Sequence, residues 1–458
     1  MKTDFHTLVI GAGIAGLVAA YRLHRAGRAV LLIESGDRAG GIIRSQDAEG
    51  FLLERGPNSF RGTHELLDLI DEVGLAGDLV AADPRAPAYV YAGGALHAVP
   101  MSPPALIKTR LLSTAGKLRL LREPFVRPRR EPGEESVASF VRRRLGPEVL
   151  ERLVAPFVSG IYAGDPGQLS VQASFARLAA LEVEGGSLLR GAWRAARRAR
   201  AAGQTPARSL RPYRLCSFRG GLEQLPRALA AALGPSLLTG ARVTRLSADG
   251  HFALTILHQG AEHTHSAANL IVATPAAAAA ALLRGLAPEV ADLVAPIPYV
   301  GLASVPLAYR VGQVARRLDG FGFLAPRGEG LRALGSVWNS SLFPGRAPDG
   351  WALLTSFVGG ATDPEAVALG DEELARIVHS DLRRALGVEG EPRRLPVTRW
   401  ERAIPQYPLG HAARVAQIEA ALGSRSGLHL VGNYLRGVSL GDCVLQAARA
   451  AEKCAASS

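Results

Sequence analysis

Cysteine is almost missing from this chain. Cys216, Cys443 and Cys454 are three in 458 residues, an odd number without metal-ligand or redox spacing. A disulfide framework and a cysteine metal site are thereby excluded, and a reducing compartment is expected. Long hydrophobic runs are also missing. The stretch Leu270 to Leu283 is too short to span a bilayer, and Pro275 breaks it. The first apolar strand begins within a few residues of Met1, with Asp4 just before it, so no cleavable leader is expected. A cytoplasmic protein follows, with peripheral contact at a membrane left open. Acidic residues are in deficit, 41 against 53 basic ones, for a net charge of +12. That balance favours nucleic acid, anionic lipid or an anionic small molecule. No zinc-finger spacing and no aromatic-basic RNA motif is present, so nucleic acid is the weakest of the three. No Ser-His-Asp or Cys-His set stands out, so no protein nucleophile or general base is assigned.

What the chain does have begins at once. Leu8-Val9-Ile10 reads as a buried parallel strand, and Gly11-Ala12-Gly13-Ile14-Ala15-Gly16 opens a helix. Gly11 permits a tight turn. Gly13 lets the backbone approach a pyrophosphate, and Gly16 lets the helix pack against the strand. The free amides at that helix end suit a diphosphate. A second apolar strand, Ala29 to Ile33, ends in Glu34, placed to accept hydrogen bonds from both ribose hydroxyls. Strand, glycine turn, helix, strand and acid together outweigh a turn packed for its own sake. The length suggests two or three domains.

After Glu34, the segment Ser35 to Ile42 carries Arg38 and the pair Gly40-Gly41, suited to a loop pressed against an extended diphosphate. An ordinary paired-glycine loop is the competing reading. This second glycine turn resembles flavin enzymes of the amine oxidase type, which implies FAD. Phe51 to Phe60 reads as a strand leading into a rigid turn at Arg55-Gly56-Pro57-Asn58. In such enzymes that turn lies beside the isoalloxazine ring. Tyr89 to Pro100 reads as a hairpin on Gly93-Gly94. Leu106 to Phe125 is apolar and basic together, and one helix there would pair a cationic face with an apolar one. Contact with an anionic membrane is one reading, and a solvated helix face is the preferred one. The same choice applies to Arg190 to Arg214, with eight arginines and no acid, read as a helix followed by a Gly-Gln-Thr-Pro loop.

Gly160-Ile161-Tyr162-Ala163-Gly164-Asp165-Pro166, followed by Gln168-Leu169-Ser170, is the most distinctive interior run. It resembles the oxygen-dependent protoporphyrinogen oxidases. Further matching segments follow in order: Ser217 to Pro226, Gly320 to Pro326, Gly335 to Pro344, Leu354 to Gly360, Trp400 to His411 and Gly437 to Cys443. The resemblance implies an α/β protein. A discontinuous Rossmann-like FAD domain of the amine-oxidase type would cover 1–82, 215–276 and 412–458. A mostly helical insert would cover 83–214, with possible membrane contact, and a mixed-sheet substrate domain 277–411. FAD would be held non-covalently by Gly11 to Gly16, Glu34, Ser35, Arg38, Gly40, Gly41, Ile42 and Arg55 to Asn58. Val243, Trp400, Gly432, Val438, Ser439 and Leu440 would complete the set, with backbone near Val243 facing the adenine. Gly160, Leu324 and Phe357 would hold the tetrapyrrole. A hydride would leave a methylene bridge for the flavin, and molecular oxygen would reoxidise it. His411 is read as structural.

One position departs from the resemblance. Many members carry an arginine, paired with a propionate, just before the strand matching Tyr89-Val90-Tyr91. Here Ala86-Pro87-Ala88 precedes it, and Arg85 is out of register. Protoporphyrinogen IX is favoured, with coproporphyrinogen III as the alternative. An amine oxidase or carotenoid desaturase, with flavin linked covalently through Cys443, and a tetrapyrrole carrier without turnover are the rivals. Monomer and homodimer are both open.

Overall fold

The computed structural model describes residues 3–129, 133–201 and 214–456. Strand β1 (Phe5–Ile10), helix α1 (Ile14–Arg25) and strand β2 (Val30–Ile33) form the expected unit. Leu8–Ile10 and Val30–Ile33 are continuous apolar runs because both of their faces are covered. They belong to a seven-stranded sheet assembled from distant stretches of the chain. Leu237–Leu238 pairs with β2, and Ala261–Val272 pairs in parallel with β1. Leu428–Leu430 adds to the far edge of Ala261–Val272, also in parallel. Phe252–His258 and Ala241–Ala248 extend the sheet as antiparallel hairpins. The expected turn at Asp249-Gly250 is there, with Gly250 at φ 70.

Each face of this sheet has its own core. One holds α1, the final helix Leu440–Ala456, and helices Gln224–Leu233 and His64–Glu72. Small residues Ala19, Ala20, Ala447 and Ala451 let α1 and the final helix approach closely. The opposite face buries the alanine-rich helix Ala276–Leu283 with Pro288–Val294 and part of His411–Gly423.

A second, eight-stranded mixed sheet is built on Tyr299–Arg310 and Trp351–Gly359. Gly335–Val337, Gly322–Leu324 and the hairpin Ala88–Ala98 extend one side, and Thr398–Pro405 pairs with Tyr299–Arg310 on the other. The amphipathic helix Asp371–Leu386 packs behind it, with Leu374, Val378 and Leu382 in the core.

The third region is helical, and the structure corrects the reading of Leu106 to Phe125 as one helix. Two short helices form instead, Pro103–Lys108 and Thr114–Leu121, followed by a 3₁₀ turn at Glu123–Phe125. Leu111 and Leu112 turn inward between them and are almost fully buried. Ser113 then caps a new helix through Gly116 N. Burial of two leucines prevails over helical continuity here. The helix Leu188–Ala201 matches expectation, while the Gly203–Pro206 loop lies outside the described residues. Arg144 is fully buried at the centre of this region. It donates to Glu123, Glu182, Val126 O and Gly186 O, which satisfies a charge that would otherwise be costly to bury.

Candidate active site

Three glycine turns meet at the carboxyl ends of the parallel strands. Gly11 N donates to Ile33 O at 2.8 Å, and Gly40 N donates to Ala12 O at 2.7 Å. Gly41 lies against Gly13, where an added Cβ would stand 3.3 Å from the Gly13 Cα. Gly56 abuts the Ile42 carbonyl so closely that no Cβ fits. Glu34 closes one end of this track. Its carboxylate accepts from Ala12 N at 2.7 Å, Gly36 N at 2.8 Å and Ser35 Oγ at 3.3 Å. Arg38 braces the second turn through Gly41 O at 2.6 Å. Helix α1 has Gly13 at its N-cap, no side-chain cap and no acid in its first turn. Its amide end therefore remains available to an anion.

Gly13 and Gly16 separate two roles. A Cβ at Gly13 would meet nothing within 4 Å, whereas one at Gly16 would strike Gly11 O. The first glycine faces open space and the second faces the strand. An open backbone before an uncapped helix end, next to a fixed carboxylate, fits a dinucleotide. The residues present thus suit the cofactor the sequence implied.

The track continues into the second sheet. Trp400 Nε1 donates to Arg55 O at 2.7 Å, and Asn339 Nδ2 donates to Asn58 Oδ1 at 2.6 Å, across the turn containing Pro57. Burial and the like charge of Arg44 push the Arg55 guanidinium below its ordinary value. Trp400 pairs with Leu302, which pairs with Gly359, so the track joins the same sheet that carries Phe357.

The three residues expected at the substrate are brought together. Leu324 pairs with Gly335, and Gly335 pairs with Phe357, so Leu324 and Phe357 project from one face with a glycine between them. Gly160 sits on the helix Ala155–Tyr162 above, where an added Cβ would stand 2.5 Å from Leu324 Cδ2. The helix thus lies over the sheet, with Leu324 against Gly160. The helix ends at Tyr162 through Ala163 in the left-handed region at φ 46, three residues before the Pro166 expected to stop it. It is held from both sides: Gln406 Nε2 donates to Tyr162 O at 2.8 Å, and Ala361 N donates to Ala163 O at 2.7 Å. Phe157 and Ile161, which the sequence reading did not single out, share the Gly160 face and are exposed. Their i, i+3, i+4 spacing with Gly160 was the available signal.

The remaining expected residues fall at the ends of the site. Val243 lies at a bulge in the strand whose first residue, Ala241, donates to Glu34 O at 2.9 Å. Gly432 follows the last parallel strand, with Val431 N bonded to Val272 O at 3.0 Å. Val438 packs against the core of the helical region, which includes Tyr162 and Tyr407, and Leu440 packs on the α1 core. Ser439 Oγ accepts from Asp442 N at 3.1 Å and caps the final helix. His411 is buried, stacks on Tyr407 at 4.3 Å and bonds Leu435 O at 3.1 Å, and burial lowers its pKa. Its hydrogen-bonding and packing are those of a structural residue. Arg85 does not replace the missing arginine, because it pairs with Asp83 at 3.0 Å on the surface. Among the described residues, no group of His, Cys, Asp and Glu could hold a metal ion.

The model of the flavin-containing amine oxidoreductases matches residues 14–455. The chain belongs to that family. It is therefore a flavoprotein. The chloroplastic protoporphyrinogen oxidase of Nicotiana tabacum is 36% identical, over 96% of this chain and 84% of that protein. The coproporphyrinogen III oxidase of Bacillus subtilis is 31% identical, over 96% of each. A crystal structure from Exiguobacterium, provisionally named as a protoporphyrinogen oxidase, superposes with a TM-score of 0.81 at 26% identity, covering 99% of both chains. Cyclohexylamine oxidase of Brevibacterium oxydans shares the fold, with a TM-score of 0.70 at 21% identity over 99% of both chains.

Proposed function

We propose that this protein is an FAD-dependent oxidase that converts a porphyrinogen to a porphyrin with molecular oxygen in haem biosynthesis, acting on protoporphyrinogen IX. The observation that carries this reading is the Gly160–Leu324–Phe357 cluster, joined through Trp400 to the glycine track. When bound, FAD supplies the hydride acceptor. The chain's residues supply position and exclusion of water. Leu324 and Phe357 flank the macrocycle, and Gly160 lets it approach the helix backbone. Gly11 to Gly16, Glu34, Ser35, Arg38, Gly40 to Ile42 and Arg55 to Asn58 hold the cofactor, with Val243, Trp400, Gly432 and Val438 to Leu440. No side chain is assigned as a base. The flavin-binding unit spans 1–82, 215–276 and 412–458, around an insert at 83–214 and a substrate domain at 277–411, with two departures: the hairpin Ala88–Ala98 joins the substrate sheet, and helices Ala276–Leu283 and Pro288–Val294 pack on the flavin sheet.

FAD is held without a covalent bond. In support, Cys443 is buried in the α1 core, and burial pushes its thiol up to about 12, so no thiolate is available near neutrality. Coproporphyrinogen III is the second reading, favoured by the absence of an arginine before Tyr89. Supplying both porphyrinogens aerobically and following porphyrin fluorescence tests the function, and oxidation of neither overturns it. Bleaching of the flavin by porphyrinogen without oxygen separates an enzyme from a carrier.

No helix among the described residues is long and apolar enough to cross a membrane. A cytoplasmic protein that touches an anionic membrane surface is the reading we favour. Ile107, Leu118, Leu121 and Phe125 are exposed, as are Leu189 and Trp193 on the helix that Glu123 binds through the amides of Leu188 and Leu189. Arg197 stacks on Trp193 at 4.8 Å. Binding to phosphatidylglycerol vesicles but not phosphatidylcholine vesicles is expected, and Trp193→Glu weakens it. Equal binding to both removes this reading.

A further inference from the structure

We infer that Phe157 and Ile161 select the porphyrinogen by the polarity of the edge it turns toward the Gly160 helix. The inference rests on the porphyrinogen reading and names the part of the substrate site that discriminates. Helix Ala155–Tyr162 and strands Gly322–Leu324, Gly335–Val337 and Trp351–Gly359 contain no Asp, Glu, Lys, Arg or His. The opposite face of the helix is buried, with Val158 at 0% and Tyr162 at 4% exposure. Phe157 and Ile161 nevertheless stand 46% and 39% exposed, on the face that carries Gly160. That face cannot turn away. A π-helical turn at Leu150–Val154 sets its phase on entry, and the Gln406 and Ala361 bonds fix its exit.

The Phe157 and Ile161 side chains offer a carboxylate no counter-charge and no hydrogen-bond donor, and the hydroxyls of Ser159, Ser336, Thr355 and Ser356 on the same elements are buried. An ionised group pressed against them loses hydration without replacement. A vinyl group loses nothing by the same contact. Protoporphyrinogen IX carries vinyl groups at two positions where coproporphyrinogen III carries propionates. Its vinyl edge therefore belongs against Phe157 and Ile161, and its propionates belong away from that helix.

The test compares kcat/KM for the two porphyrinogens, with binding of protoporphyrin IX and coproporphyrin III read separately by absorbance. The native holoenzyme is expected to prefer the vinyl-bearing molecule by at least about tenfold in both measurements. Ile161→Lys supplies a partner for a propionate and shifts both ratios toward the coproporphyrin series by at least about tenfold. Phe157→Lys does the same and serves if Ile161→Lys loses its flavin. Phe157→Leu keeps the native ratio. Equal native ratios, a native preference for the coproporphyrin series, or lysine variants in which both substrates weaken alike while flavin stays bound would overturn the inference. Selective porphyrin binding without turnover of either porphyrinogen would instead remove the oxidase reading and leave the inference standing.

Discussion

Two glycines three positions apart give the sharpest test of how the flavin site is built. An alanine methyl at Gly16 would stand 1.9 Å from Gly11 O, where real Cβ contacts are not found below 3.0 Å, so backbone must move by more than 1 Å. Forced overpacking of this kind costs about 1–3 kcal/mol. At Gly13 the methyl meets no protein atom within 4 Å, and φ is −66, which any L residue adopts. Gly13→Ala is therefore expected to leave the apoprotein unchanged, or to stabilise it by about 0.4–1 kcal/mol through the unfolded chain. The same methyl occupies the surface a diphosphate approaches. With a steric penalty near 2.7 kcal/mol, affinity falls about a hundredfold. At a free FAD concentration one hundred times the native Kd, cofactor stabilises native protein by about 2.7 kcal/mol and the Gly13→Ala protein by only about 0.4 kcal/mol. Urea unfolding of both variants with and without FAD measures all of these quantities. A Gly13→Ala apoprotein weakened as much as Gly16→Ala, or an undiminished FAD gain in Gly13→Ala, refutes the division of roles.

Three further outcomes are expected. Gly160→Ala puts a methyl 2.5 Å from the mobile tip of Leu324. KM for porphyrinogen should rise by about fivefold or more while Tm holds or climbs, since alanine favours the helix by about 0.5–1 kcal/mol, and an unchanged KM would count against the cluster. His411, with its pKa lowered from 6.5 by burial, binds fewer protons folded than unfolded. Its contribution to stability is complete above pH 6.5 and is lost as pH falls toward the folded value, so His411→Gln should flatten the stability profile below pH 6.5; an unaltered slope rules this out. Denaturation in acid should release all flavin into the supernatant, and retention on the chain would point to a covalent link.

Much of the flavin site could be read from sequence because its signals are local. Gly11, Gly13 and Gly16 lie within one turn, and Glu34 ends the next strand, so spacing alone implied a dinucleotide, and resemblance narrowed it to FAD. The Gly160 cluster was different. Gly160, Leu324 and Phe357 are far apart in the chain and meet only because Gly335 pairs with both Leu324 and Phe357. Resemblance named them, but no periodicity could have joined them. Phe157 and Ile161 escaped notice because an apolar helix face ordinarily means core. The helix break after Lys108 was hidden for the opposite reason: the sequence is continuous in helix propensity, and the inward turn of Leu111 and Leu112 depends on partners elsewhere.

The strand Leu428–Leu430 lies beside Ala261–Val272, whose other edge holds β1, and the final helix lies against α1. Its consequence is one of timing. On a ribosome, β1, α1 and β2 emerge long before their neighbours exist, and synthesis of the intervening chain takes on the order of 20–80 s. For that interval the glycine turn is a nascent motif with one flank bare. Nascent chains shielded by a chaperone until the closing helix arrives should yield more yellow protein than chains released early.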